Sequence, residues 1–150
     1  MKLKFDDLND LLEHIKRLSA DKHHTRGQWT IAQIFFHLAA AFEGSLNGLP
    51  AGYSMPARVI ARRFRWLITR YRFPPWMPIP SSIKEALEPP ATADFCHEKQ
   101  RLVLAIESFQ NYTDDHPPHP VLGRLTHIEW IGFHLRHCEH HLLFVCQDST

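Results

Sequence analysis

Four histidines fall within eight residues near the C-terminus, in the run Trp130-Ile-Gly-Phe-His134-Leu-Arg-His137-Cys-Glu-His140-His141. His137 and His141 stand four apart, so on a helix both imidazoles share one face about a turn apart. Two neutral rings so placed can grip one divalent cation, because each offers a nitrogen lone pair to the same point. A two-histidine clip is incomplete, and His37, far upstream in a second amphipathic segment, is the candidate third ligand. His134, one turn before His137, is the rival for that position. His23, His24, His97 and His116 are read as solvated surface, and His140 should point away from His141 by about 100° of helical rotation.

Other chemistry is thinly represented. Cys96, Cys138 and Cys146 form an odd set without a C-x-x-C pair, which argues against a disulfide framework or zinc ribbon; they are expected to be small core fillers. Glu43 and Glu139 are the carboxylates available for acid–base work. Glu43 reads as a helix-surface charge and Glu139 as exposed, so neither is given a catalytic role.

The elements that must position these residues are helices. Phe5 to Leu18 places Leu8, Leu11, Leu12, Ile15 and Leu18 at helical spacing. Thr30 with Gln33 forms a capping box for a second helix, whose core stripe is Ile31, Ile34, Phe35, Leu38, Ala41 and Phe42. Turn signals from Gly44 to Gly52 end it. Pro56 opens a basic segment, Ala57 to Tyr71, with Val59, Ile60, Phe64, Leu67 and Ile68 at helical spacing. Phe73 to Pro90 holds six of the eleven prolines and is expected to be a long loop packed by Trp76, Met77 and Ile79. Thr92 to Tyr112 is a further helix with Phe95, Leu102, Ala105, Ile106 and Phe109 inside. The last helix starts at Thr126, capped with Glu129, and runs to about Cys146. Its deep stripe is Ile128, Ile131, Leu135, Leu142 and Val145, with Cys138 at a small position. No strand-like alternation stands out, so the fold class is all-α, an up-and-down four-helix bundle with an extra basic helix and a Pro-rich loop.

At 150 residues the chain suits one domain. Hydrophobic residues at 44% and charged residues at 22% are ordinary for a globular protein. A net charge of +1 gives no case for nucleic acid as partner. The first residues turn acidic at once and lack the apolar stretch of a signal peptide, and no apolar run approaches a bilayer span. The expected location is the cytoplasm, with no integral membrane segment.

The chain resembles the DinB/YfiT-like superfamily, in its branch of small bacterial proteins of unknown function. The resemblance rests on Gly27-Gln-Trp29-Thr30-x-x-Gln33-x-x-x-His37-Leu38. It rests also on His119-Pro120-x-x-Gly123-x-Leu125-Thr126-x-x-Glu129-Trp130 leading into His137-x-x-x-His141. Met77-Pro78-x-Pro80 and Glu88-Pro89 fit less specifically. The resemblance implies a four-helix bundle whose metal is bound by His37, His137 and His141, without His134 or His140. One departure is Phe144, where the family often carries a glutamine, a polar group beside the metal and not a ligand.

Three imidazoles leave coordination positions open, the arrangement of a reactive and not a closed structural site. Zn²⁺ or Ni²⁺ suits the donors, with Fe or Mn as alternatives. By the same resemblance the expected activity is that of a metal-dependent thiol S-transferase or hydrolase, with a small-molecule thiol and an electrophile as partners. The alternative is a non-catalytic metal-binding or interaction protein acting as a homodimer. The basic segment Arg58 to Arg72 reads first as a bundle helix with a solvated basic face, and second as a surface that covers a partner or lies on an anionic membrane.

Overall fold

The computed structural model describes residues 3–50, 55–63, 65–70 and 81–148. In chain order these form α1 (Leu8–Arg17), β1 (His23–Thr25), α2 (Ile31–Asn47), α3 (Met55–Arg63), α4 (Arg65–Arg70), α5 (Ser81–Leu87), α6 (Phe95–Gln110), α7 (His127–Leu142) and β2 (Val145–Gln147). The fold among the described residues is therefore mostly helical, with one small two-stranded sheet. No helix there is long and apolar enough to cross a membrane.

The helix starts follow local chemistry. Asp7 and Asp94 each accept a backbone N–H of the first turn, from Asp10 and His97, both at 2.8 Å. The two capping boxes expected at Thr30 and Thr126 both form. Gln33 N–H donates to Thr30 Oγ1 at 3.2 Å while the Gln33 side chain accepts from Thr30 N–H at 2.9 Å. Glu129 does the same with Thr126, at 3.2 and 2.8 Å. Gly48 closes α2 with φ of +93°, a conformation costly for any residue with a Cβ.

Helix α2 is apolar on nearly every side and lies at the centre, packed most extensively along α6. Phe35, Leu38 and Phe42 of α2 meet Leu102, Ile106 and Phe109 of α6, with Leu11 and Ile15 of α1 and Leu135 and Leu142 of α7 completing one core. Ala40 of α2 seats Ile83 and Leu87 of α5 in a smaller cluster.

Several expectations are corrected here. The last helix stops at Leu142, and the chain beyond it forms β2, antiparallel to β1 with His24 opposite Cys146. Arg26 N–H donates to Phe144 carbonyl at 2.9 Å and Asp148 N–H to Lys22 carbonyl at 2.9 Å, extending the pairing at both ends. Strands of three residues lie below what period-two reading can detect. Part of the Pro-rich stretch is helix α5, whose seven residues Ser81–Leu87 lie between prolines and contain none. Trp76, Met77 and Ile79, expected to pack that stretch, lie outside the described residues. The basic segment forms two short helices, α3 and α4. Ile128, expected in the deep stripe, is 79% exposed; the buried positions of α7 are Trp130, His134, Leu135, Cys138, Glu139 and Leu142. Of the cysteines only Cys138 is buried, Cys96 being exposed and Cys146 intermediate.

Candidate metal centre

His37 is carried by α2, His137 and His141 by α7, and the sheet holds the approaches to both helices together. β1 precedes α2 and β2 follows α7, so pairing them sets the start of α2 beside the end of α7. His37 lies near the middle of α2 and is buried because α2 has no solvent face there.

The three imidazoles converge. One ligand nitrogen from each of His37, His137 and His141 can be chosen so that all lie within 4.8 Å of one another. His37 Nε2 stands 3.0 Å from His137 Nε2. The ring centroids of His141 lie 4.5 Å from those of His37 and 4.8 Å from those of His137, both edge-on. A carbonyl can only accept, so the 3.0 Å contact of His37 Nδ1 with the Leu87 carbonyl fixes the proton on Nδ1. The lone pair of His37 is thereby on Nε2, aimed at His137. Such a backbone partner both orients a histidine ligand and raises its basicity.

Burial comes first among the causes that hold all three rings neutral. It lowers the pKa of His37 against the opposing pull of the Leu87 carbonyl, with His140 lowering it further. His137 is pushed well below the ordinary histidine value by burial and then by its neighbours His141 and His37. His141 is pushed to about 2 by burial, then by His37 and His140. Neutral imidazole is the form that coordinates a cation. Two nitrogens bound to one tetrahedral zinc stand about 3.3 Å apart, so the 3.0 Å pair needs only slight widening. The residues present fit a divalent ion.

Aromatic rings wall the centre. Trp29 stacks on His141 at 5.7 Å with 15° between planes and lies 5.0 Å from His37. Phe133 lies 5.7 Å from His137. Trp29 is held by the loop turn before α2, where Thr25 Oγ1 donates to its carbonyl at 2.7 Å.

The structure takes His134 away from this centre. It is fully buried, its Nε2 is 3.0 Å from Ser45 Oγ, and its ring stacks on Phe42 at 3.8 Å. Ser45 passes its own proton to Phe42 carbonyl, so the hydroxyl accepts from His134. His116, expected on the surface, is also buried. Its Nδ1 donates to Ser45 carbonyl at 3.0 Å and its Nε2 meets His127 Nδ1 at 2.8 Å. These rings form a hydrogen-bonded core group. His24 and His97 are exposed and His23 is half-buried.

Glu139, expected to be exposed, is fully buried. Its Oε1 accepts from Phe5 N–H at 2.8 Å and from Arg136 at 2.7 Å, while Arg136 also donates to Phe5 carbonyl at 3.0 Å. Glu43 is held by Arg101 through two contacts of 2.8 and 2.6 Å. Burial, with Glu139 adjacent, raises the Cys138 thiol far above its usual range, which removes it as a thiolate nucleophile. Sequence reasoning missed the Leu87 carbonyl, since any residue supplies one, and gave Trp29 no role beyond its place in a motif. It missed the burial of Glu139 because Phe5, whose N–H the carboxylate accepts, becomes a neighbour only in the folded chain.

Residues 1–148 match a protein family described as "Protein of unknown function (DUF1569)". The chain belongs to the DUF1569 family. No curated protein and no solved structure matches it. The match covers every residue of the three-histidine centre, both capping boxes and the basic helices, so the features of this DUF1569 chain described above all fall within the family's span.

Proposed function

We propose that this DUF1569 protein is a divalent-metal protein of the DinB/YfiT type, a single four-helix-bundle domain whose His37, His137 and His141 ligate one transition-metal ion. The bundle reading is supported by α1, α2, α6 and α7 being the four longest helices among the described residues, with α1 and α2 each packing on both α6 and α7. The observation that carries the metal reading is the opposed pair His37 Nε2 and His137 Nε2 at 3.0 Å, with the His37 proton committed to Leu87. His37 Nε2 can only accept, so the contact is bridged by a proton on His137 Nε2 in the absence of an ion, and both nitrogens turn to the ion when one is bound. Zn²⁺ or Ni²⁺ suits the donor set, with Fe or Mn as alternatives.

When bound, such an ion supplies Lewis acidity and lowers the pKa of a coordinated water or thiol. The chain's own residues do the rest. The Leu87 carbonyl keeps the His37 lone pair on the centre, burial keeps all three rings unprotonated, and Trp29 shields one face of His141 from water. The activity that suits this arrangement is transfer or hydrolysis in which a small thiol meets an electrophile.

A second reading, a metal-binding or interaction protein that acts without turnover as a homodimer, is favoured by the carboxylates. Glu139 is engaged by Phe5 and Arg136 and Glu43 by Arg101, so neither is offered to the histidines as a base. Elemental analysis of untagged protein tests the metal: about one equivalent per chain is expected, and His137→Ala should lose most of it. Full occupancy in that variant rejects the ligand set. Turnover of a thiol with an electrophile, abolished by chelation and restored by metal, distinguishes the enzyme from the binder.

A further inference from the structure

Charge is distributed unevenly along this chain. Seven of the seventeen Lys and Arg residues lie between positions 44 and 84, and none of the sixteen Asp and Glu do. The segment carries +7, and the ten cations elsewhere face sixteen anions. That segment contains α3 and α4, where Arg62, Arg63 and Arg70 are exposed. Apolar side chains sit among them in the open: Val59 is 58% exposed, Ile60 62% and Trp66 56%. Val59 and Arg63 stand four apart in α3, as do Trp66 and Arg70 in α4, so each short helix puts one apolar and one cationic group on the same face.

The face extends onto the start of α7. Arg65 donates to Arg124 carbonyl at 3.1 Å and pairs with Glu129 at 3.2 Å, which brings α4 against the residues flanking Ile128, itself 79% exposed. Arg62 lies directly over Gly123, whose φ of +77° and missing Cβ let the guanidinium approach. Four of the seven large apolar side chains exposed among the described residues thus lie on α3, α4 and the adjoining first turn of α7, the part of the fold that holds these arginines.

We infer that the α3–α4 face, with Trp66 and Ile128 as apolar anchors and Arg62, Arg63 and Arg70 as charges, docks this protein onto an anionic lipid surface. Aromatic and aliphatic groups interleaved with arginine suit a bilayer interface, where the ring enters the headgroup layer and the guanidinium stays at the phosphates. A protein partner is matched less well, because the centres of protein interfaces are depleted of charge. A second copy of this chain is matched poorly too. Its acidic remainder offers Leu104 on α6 and the neighbours Leu143 and Phe144 beyond α7 as its large exposed apolar groups among the described residues. No described helix is long enough to span a bilayer, so the attachment lies on the membrane and is reversible.

The test is sedimentation of the full chain with vesicles of phosphatidylcholine alone and of phosphatidylcholine with 30 mol% (about the anionic fraction of a charged leaflet) phosphatidylserine. Binding is expected to the serine-containing vesicles only, and to fall steeply as salt rises from about 0.05 to about 0.5 M. Arg62→Ser/Arg63→Ser/Arg70→Ser should weaken it on the order of 100-fold, and Trp66→Ala should weaken it separately. Circular dichroism and metal content of both variants should match the parent, since all four side chains are exposed and none belongs to the core. Equal binding to neutral vesicles, no binding at low salt, or wild-type binding by the triple variant overturns the inference. So does capture by polyglutamate without vesicle binding, or a lipid-free dimer that protects Trp66 from quenching by acrylamide.

Discussion

His119 is buried, and its Nδ1 accepts two backbone N–H groups, from Val121 and Leu122, each at 3.1 Å. Protonating that nitrogen would set a donor against two donors inside the fold. Burial accordingly holds the group down to about 3. In the unfolded chain the same side chain takes its proton near the ordinary value of 6.5. The unfolded state therefore binds a proton that the folded state refuses, and stability falls as pH drops below 6.5 until the folded group itself titrates near 3. Above 6.5 the contribution is complete. Between pH 7 and pH 5 the linkage relation gives a loss of about 2 kcal/mol from this residue alone.

Other buried histidines, His134 among them, add losses of the same sign, so the wild-type profile cannot isolate His119. His119→Asn can, because an asparagine carbonyl can accept the two N–H groups without titrating. The variant should be less stable at pH 7, having lost ring contacts with Phe133 and Trp130 at 4.7 and 5.2 Å. Its deficit relative to wild type should shrink by about 2 kcal/mol on moving to pH 5. Urea denaturation of both chelator-treated proteins at the two pH values measures this double difference. A deficit unchanged between pH 7 and pH 5 would refute the claim that burial holds His119 neutral in the fold.

Three further outcomes are expected. Chelation should lower the midpoint of thermal unfolding in the wild type and leave it unmoved in His137→Ala, since a ligand stabilises only the state that binds it; calorimetry with and without chelator reads this. Thr126→Ala should cost about 1 kcal/mol by denaturation, because it removes the acceptor for Glu129 N–H at the start of α7. Glu139→Ala should cost about 3 to 5 kcal/mol by leaving the Arg136 guanidinium and Phe5 N–H without their shared acceptor, and Glu139→Ala/Arg136→Leu should recover part of that loss.

Legibility in the sequence tracked how local the physics was. The boxes at Thr30 and Thr126 were readable because both partners sit three residues apart. The apolar stripes of α1, α2 and α6 were readable because their burial follows the helical period. His137 and His141 were readable as a pair for the same reason. His37 came from a different kind of reasoning: the spacing on α7 demanded a third donor, and the structure brings His37 to the pair. What could not be read was set by pairing across the chain. The strand after α7 exists because β1 waits for it, more than a hundred residues upstream. Ile128 is exposed because Trp130, 2% exposed, takes the inward side of the first turn of α7 and leaves Ile128 on the outward side.

The burial of Glu139 joins these two levels. It sits between His137 and His141 on α7, and its carboxylate anchors Phe5, ahead of α1, to the same helix that supplies two of the three donors. Helix α7 is thus fixed at several points by separate segments of chain: Phe5 through Glu139 and Arg136, Ser45 through His134, and β1 through β2. Helix α2 is held by its own apolar surround, and His37 on it by Leu87 of α5. Each imidazole of the centre is carried by an element whose position other contacts already determine. A site assembled that way keeps its three nitrogens close before any ion arrives, and binding then has little ordering entropy left to overcome.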